Sequence, residues 1–151
     1  MSLKRIINEL SRDWTTLWQE RNSIFITNNR LPKLQFLIFF QCNYEPIMVT
    51  LDFNGKPYPF RPPKVFIGLK EQDYISLLPT TWKFQQKILG EKCLCCNSIL
   101  CKWGPNRTIM DIINEVKENF ELKIRMMEIA HCRKIVEKKF DVNYLPIEEF
   151  L

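Results

Sequence analysis

The fold depends on one stretch of sequence, Gly90-Glu-Lys-Cys-Leu-Cys-Cys-Asn-Ser-Ile-Leu-Cys-Lys-Trp-Gly-Pro-Asn-Arg-Thr-Ile109. It contains four of the chain's six cysteines, a Trp-Gly-Pro corner and the first residues of a helix. Short apolar runs typical of β-strands precede it, and a long pattern typical of an α-helix follows it. The stretch therefore predicts a reactive or metal-binding thiol close to a rigid surface loop.

Length and composition favour a single domain over residues 1–151. The chain has 151 residues, of which 46% are hydrophobic and 13% aromatic, and this is enough to bury a substantial core. Its net charge of +5 comes from scattered basic residues and not from a Lys/Arg-rich tract. We therefore do not expect a nucleic-acid partner, and an acidic protein surface fits the charge at least as well.

The sequence shows no targeting or membrane signal. Its N-terminus lacks the apolar core of a signal peptide, and no apolar run reaches membrane-spanning length. This predicts a protein of the cytoplasm, the nucleus or both, without a membrane partner. In a reducing compartment, cysteines are expected as buried small side chains, metal ligands or a catalytic thiol, and not as disulfides. Abundant Asn, Ile and Lys favours a source with an AT-rich genome, such as a large DNA virus.

Helical periodicity marks both ends of the chain. Apolar residues at three- and four-residue steps predict a first helix from about Ser2 to Gln19, with a solvated opposite face. The apolar face comprises Leu3, Ile6, Ile7, Leu10, Trp14, Leu17 and Trp18, and the solvated face Lys4, Arg5, Glu9, Arg12 and Asp13. A second helical pattern begins after Thr108, which forms a capping box with Asp111, and continues as one or two helices to about Lys139. Its apolar face comprises Ile109, Ile112, Ile113, Val116, Phe120, Ile124 and Met127.

Strand patterns fill the region between the helices. Residues 23–27, 34–41 and 47–53 predict a three-stranded meander, and a stiff segment with four prolines leads from it to a fourth strand at Lys64–Ile67. Residues 68–82 show no clear period and are interpreted as a surface insertion. The fold class is therefore α+β, with an N-terminal helix, a four-stranded antiparallel meander sheet and C-terminal helices.

Three segments resemble those of ubiquitin-conjugating enzymes. Met1-Ser-Leu-Lys-Arg-Ile-Ile-Asn-Glu-Leu10 looks like the first helix of that family, and Tyr58-Pro-Phe-Arg-Pro-Pro-Lys-Val65 looks like its proline signature. Gly90-x-x-Cys93-Leu94, with Trp103-x-Pro105, resembles the active-site block. The segments occur in the family's order and cover roughly residues 1–120, so the resemblance implies a ubiquitin-conjugating-enzyme-like fold.

The resemblance implies that Cys93 is a thioester acceptor. Family members place the tryptophan eight or ten residues after the catalytic cysteine, and Trp103 is ten residues after Cys93. The thiolate would accept the C-terminal glycyl group of ubiquitin or a ubiquitin-like modifier and pass it to a substrate lysine or a ligase. This chemistry needs no cofactor and no metal. It implies three partners, namely the modifier, an activating enzyme and a RING-type ligase.

The chain departs from the family around the cysteine. Lys83-Phe84-Gln85 occupies the place of His-Pro-Asn, so the Gln85 amide is the candidate for stabilising the oxyanion. The insertion at about 68–82 makes this region about ten residues longer than in a typical member. From about residue 121 the C-terminus is divergent and stays helix-compatible, where the family has a loop with proline and aspartate. By the same resemblance, Lys4, Arg5, Phe60 and Pro105 are the candidate partner-binding residues.

Three interpretations remain open at this point. The chain is either an active conjugating enzyme or a catalytically inactive binding or scaffold protein with the same fold. A third interpretation takes Cys93-x-x-Cys96, with Cys101 and one of Cys132 or His131, as a structural zinc site. The second pair of ligands is poorly matched to such a zinc site. A catalytic pair of Cys93 and His131 is a separate possibility, and it would require the fold to bring these distant residues together.

Overall fold

A computed structural model describes residues 3–14, 23–40, 44–78 and 98–140. It is an α+β structure with an N-terminal helix, a five-stranded antiparallel sheet and a C-terminal helix. The elements in chain order are α1 (Leu3–Asp13), β1 (Ile24–Asn28), β2 (Lys33–Ile38), β3 (Ile47–Asp52), β4 (Lys64–Ile67), β5 (Gln72–Asp73), α2 (Tyr74–Leu77) and α3 (Ile109–Phe140). Within these residues, no helix is long and apolar enough to cross a membrane.

The sheet is a simple meander in the order β1-β2-β3-β4-β5. Alternate residues of β2 are buried, and β3 pairs with β2 in continuous register from Lys33↔Asp52 to Ile38↔Ile47. One face of the sheet therefore supplies the core, as period-2 patterns predict. The fully buried apolar side chains of β2 and β3 are Leu34, Phe36, Ile38, Val49 and Leu51, and the polar Thr50 of β3 is fully buried as well.

The predicted number of four strands is corrected to five. Gly68 has a φ of +78°, and this left-handed conformation lets the chain reverse directly after β4. The two residues of β5 then pair with β4 through Phe66↔Asp73 and Ile67↔Gln72. A strand this short has no alternating pattern in the sequence, and this is why residues 68–82 showed no period.

Residues 68–78 are not confined to the surface. Tyr74 and Leu78 are buried and belong to the core, whereas Leu69 and Leu77 are exposed. The one-turn helix α2 directs Tyr74 inward immediately after β5. The rest of the predicted insertion, residues 79–82, lies outside the described residues.

The orientation of α1 differs from the predicted one. Ile6 and Trp14 are buried as expected, but the side chain of Ile7 is 51% exposed and Glu9, which was predicted to be solvated, is only 2% exposed. The helix is rotated about its axis relative to the predicted orientation. This rotation is stable because hydrogen-bond donors inside the protein contact the Glu9 carboxylate. A buried carboxylate with several donors is stable where an isolated one is not.

The C-terminal helix α3 is continuous over 32 residues. Its start confirms the capping box, because the Thr108 amide donates to Asp111 Oδ2 at 2.9 Å and the Asp111 amide donates to Thr108 Oγ1 at 3.2 Å. The first two turns bury the predicted apolar residues Ile109, Ile112, Ile113 and Val116. Further along, Met126 is buried and Met127 is exposed, so the predicted face shifts by one residue there.

Candidate functional site

The proline segment between β3 and β4 forms a tight loop with Phe60 at its surface. The Phe60 and Arg61 amides donate to the Pro57 carbonyl at 2.8 and 3.2 Å, which closes the turn. Tyr58 is buried within this loop, but the Phe60 side chain is 73% exposed. Phe60 therefore does not pack into the proline corner, and its ring is available to a partner.

The Trp-Gly-Pro corner is attached to this proline loop. Trp103 Nε1 donates to the Pro59 carbonyl at 2.7 Å, and the Trp103 and Tyr58 ring centroids are 6.1 Å apart. Trp103 is half-buried and packs against the core. Pro105, two residues later, is exposed. Phe60, one residue after Pro59, and Pro105, two residues after Trp103, thus present exposed apolar side chains on adjoining loops.

Arg5 of α1 also forms hydrogen bonds with the Trp-Gly-Pro corner and the residues that follow it. Its Nη2 donates to the carbonyls of Pro105 and Arg107 at 3.3 and 3.2 Å, while its Nε forms an ion pair with Glu9. The structure therefore brings together Arg5, the Phe60 loop and the Pro105 loop, which carry three of the four predicted partner-binding residues. Lys4 is exposed on α1 beside Arg5.

Glu9 is the buried centre of this arrangement, and the sequence patterns did not identify it. The Tyr58 hydroxyl lies 2.8 and 2.7 Å from the two carboxylate oxygens, and the Ile109 amide donates to Oε2 at 2.9 Å. One carboxylate therefore joins α1, the proline loop and the first amide of α3, where the helix dipole also favours a negative charge. The only sequence signal is the position of Glu9 three residues after the buried Ile6.

A second carboxylate, that of the partly buried Glu115, lies on α3. Glu115 Oε1 accepts the Ile99 amide at 2.8 Å, and Oε2 accepts the hydroxyls of Ser98 at 2.9 Å and Tyr74 at 3.1 Å. Ser98 is 2% exposed. These contacts attach the end of the cysteine-rich stretch, and the segment after β5, to the same point on the helix.

Two tyrosines in these networks should make the protein sensitive to alkaline pH. Burial, together with the Glu9 carboxylate for Tyr58 and the Glu115 carboxylate for Tyr74, raises the pKa of each phenol above its ordinary 10.0. The folded state then retains protons that the unfolded chain releases, so the stabilisation is complete below about pH 10 and is lost as the pH rises further. We expect urea unfolding measured between about pH 8 and pH 11 to show this decline. It should be shallower in Tyr58→Phe and Tyr74→Phe, and equal slopes in all three proteins would contradict the assignment.

The predicted catalytic residues Cys93 and Gln85 lie outside the described residues, as do Cys95 and Cys96. Cys101 and Cys132 are exposed free thiols, and His131 is exposed on α3. In the parts of the chain that the structure describes, no three His, Cys, Asp or Glu side chains are grouped as metal ligands. No family model, curated protein or solved structure matches this chain.

Proposed function

We propose that the protein accepts ubiquitin or a ubiquitin-like modifier as a thioester on Cys93 and passes it to a substrate lysine or a ligase. The observation that carries the proposal is the 2.7 Å hydrogen bond from Trp103 Nε1 to the Pro59 carbonyl. It joins two loops that present Phe60 and Pro105 to solvent, and Arg5 secures the second loop to α1. Such an apolar pair on braced loops suits docking of a protein partner such as a RING-type ligase.

The chemistry of the proposal lies in the cysteine motif. In loading, the Cys93 thiolate attacks the activated thioester carbonyl of the modifier, a new thioester forms, and the thiolate of the activating enzyme leaves. In transfer, an amine or a second thiolate attacks the new carbonyl and the Cys93 thiolate leaves. A donor amide on Gln85 would stabilise the negative oxygen of the tetrahedral intermediate.

A thioester assay tests the proposal directly. Incubation with ubiquitin, an activating enzyme and ATP should give an adduct that reductant removes and that Cys93→Ala abolishes. Cys101→Ala is the matched control, since its exposed thiol belongs to the same stretch, and it should still load. Because the modifier class is open, the assay is repeated with ubiquitin-like modifiers and their own activating enzymes. Absence of an adduct with every modifier would refute the proposal.

The candidate docking residues give a separate prediction. We expect Phe60→Ala and Pro105→Ala each to weaken binding of a cognate RING domain by about tenfold or more, because central apolar contacts dominate such interfaces. Both side chains are exposed, so the melting temperature should stay close to that of the wild type. Titration calorimetry measures the affinity, and Leu69→Ala, another exposed apolar residue, should bind normally.

A binding or scaffold protein without catalysis is the second candidate. The observation that favours it is that the described contacts around Phe60 and Pro105 involve α1, the proline loop and α3, and none of them uses a cysteine. A RING domain that binds the wild type and Cys93→Ala equally, with no thioester formed by either, would support this candidate over the first.

A further inference from the structure

We propose that Glu115 is a positioning residue that braces the cysteine segment against the segment following β5. The inference rests on the proposed function for its catalytic consequence, because it assigns to this carboxylate the task of holding the chain that carries Cys93. It also gives residues 68–78 a role beyond lengthening the chain.

The two carboxylate oxygens of Glu115 bind different kinds of group, one a backbone amide and the other two side-chain hydroxyls. Oε1 accepts the backbone amide of Ile99, so it fixes the main chain itself. Oε2 accepts the Ser98 and Tyr74 hydroxyls, which come from two segments on either side of residues 79–97. Hydrogen bonds to an ionised group are stronger than neutral ones, so a single carboxylate joins both segments firmly.

Residues 98–102, which follow directly on this anchor, form a hydrogen-bonded turn. The Ser98 carbonyl accepts the amides of Cys101 and Lys102 at 3.0 and 3.2 Å, and Ser98 Oγ accepts the Leu100 amide at 3.2 Å. Ser98 is five residues after Cys93 in the sequence, so only a short length of chain separates the anchor from the proposed acceptor. Loosening the anchor would therefore enlarge the volume that the thiol explores.

Tyr74 fixes the other segment to the same point. Its hydroxyl donates to Glu115 Oε2 and accepts from Asn119 Nδ2 at 2.6 Å. Residues 115 and 119 are one helical turn apart, so α3 holds this hydroxyl from two directions. The Tyr74 ring is buried, and it cannot turn to another partner without leaving the core. Removing the Tyr74 hydroxyl should consequently weaken the hydrogen bonds that Glu115 also makes with Ser98 and Ile99.

The experiment compares Glu115→Ala and Tyr74→Phe with the wild type and with Glu121→Ala. Glu121 is a matched control on α3, since its contact with Lys117 is a partly exposed ion pair of 3.9 Å. Hydrogen–deuterium exchange is followed in peptides covering residues 93–102. Single-turnover loading of Cys93 is measured over a range of concentrations of the charged activating enzyme.

Both test variants should exchange about tenfold faster over residues 93–102, the factor expected from losing a partly buried hydrogen bond to a charged group. Their maximal loading rate should fall while the half-saturating concentration stays the same, and Glu121→Ala should match the wild type. A purely structural role would lower the melting temperature without changing the loading rate at lower temperatures. Tyr74→Phe retains the ring, so it tests the coupling even if Glu115→Ala does not fold.

If Tyr74→Phe exchanges and loads at the same rates as the wild type, the inference is overturned. If the wild type forms no thioester, the proposed function fails, and exchange over residues 93–102 then decides the bracing alone. Faster exchange in Tyr74→Phe but not in Glu121→Ala would sustain the bracing, and equal exchange would end it.

Discussion

Replacing Glu9 with alanine is expected to lower the free energy of unfolding by about 2–5 kcal/mol. The change leaves the Tyr58 hydroxyl and the Ile109 amide buried without this acceptor, and each unsatisfied group costs about 1–3 kcal/mol. Arg5 adds little to the loss, because its side chain is 34% exposed and water can solvate the guanidinium. Chemical denaturation should show a lower midpoint with an unchanged slope.

Two control variants test whether the loss of stability comes from the carboxylate itself or from a substitution at this place on α1. Asn8→Ala, at the exposed neighbouring position on α1, should change stability by less than about 0.5 kcal/mol. Glu9→Gln keeps one acceptor oxygen and should give an intermediate loss, because its amide donates where the carboxylate accepted. A Glu9→Ala protein as stable as the wild type would show that these buried contacts contribute nothing to the fold.

Removing the Trp103 side chain is the second large change, and it should affect both stability and partner binding. Full truncation of a core aromatic residue costs about 3–5 kcal/mol, and we expect about 2–3 kcal/mol here because Trp103 is only half-buried. The alanine variant also loses the bond to the Pro59 carbonyl, so the loops of Phe60 and Pro105 are no longer fastened together. RING binding should therefore weaken even at temperatures where the variant is fully folded.

Trp103→Phe distinguishes the indole hydrogen bond from the ring's packing. It keeps most of the apolar contact with Tyr58 and loses the Nε1 donor, so binding should fall more than stability. Thermal unfolding and calorimetry with the same RING domain measure the two effects. Equal RING affinity in Trp103→Phe and the wild type would show that the docking surface does not need this bond.

Local patterns predicted the elements whose causes are local. The Thr108–Asp111 capping box, the apolar start of α3 and strand β4 at Lys64–Ile67 all follow from residues within a few positions of each other. Periodicity failed for β5, since two residues cannot display a period, and the Gly68 turn that creates it has no unique signature.

The roles of the Glu9 and Glu115 carboxylates could not be predicted because their partners are remote in the sequence. Glu9 meets a tyrosine 49 residues away and an amide 100 residues away, while Glu115 meets Tyr74 across 41 residues. On a helical wheel both glutamates look like ordinary solvated residues. The resemblance did indicate Phe60 and Pro105 as surface positions, but it gave no information on the polar groups that hold their loops.

The bonds that brace these loops have an evolutionary consequence. Pro59, Pro105 and Arg107 take part in them only through backbone carbonyl oxygens, which every amino acid possesses. Mutation can therefore alter the side chains at and around these positions while Arg5 and Trp103 continue to hold the same main-chain path. Under the proposed function, partner preference can therefore change independently of the architecture, and a descendant of this protein, or a designer, could exchange one ligase for another without rebuilding the fold.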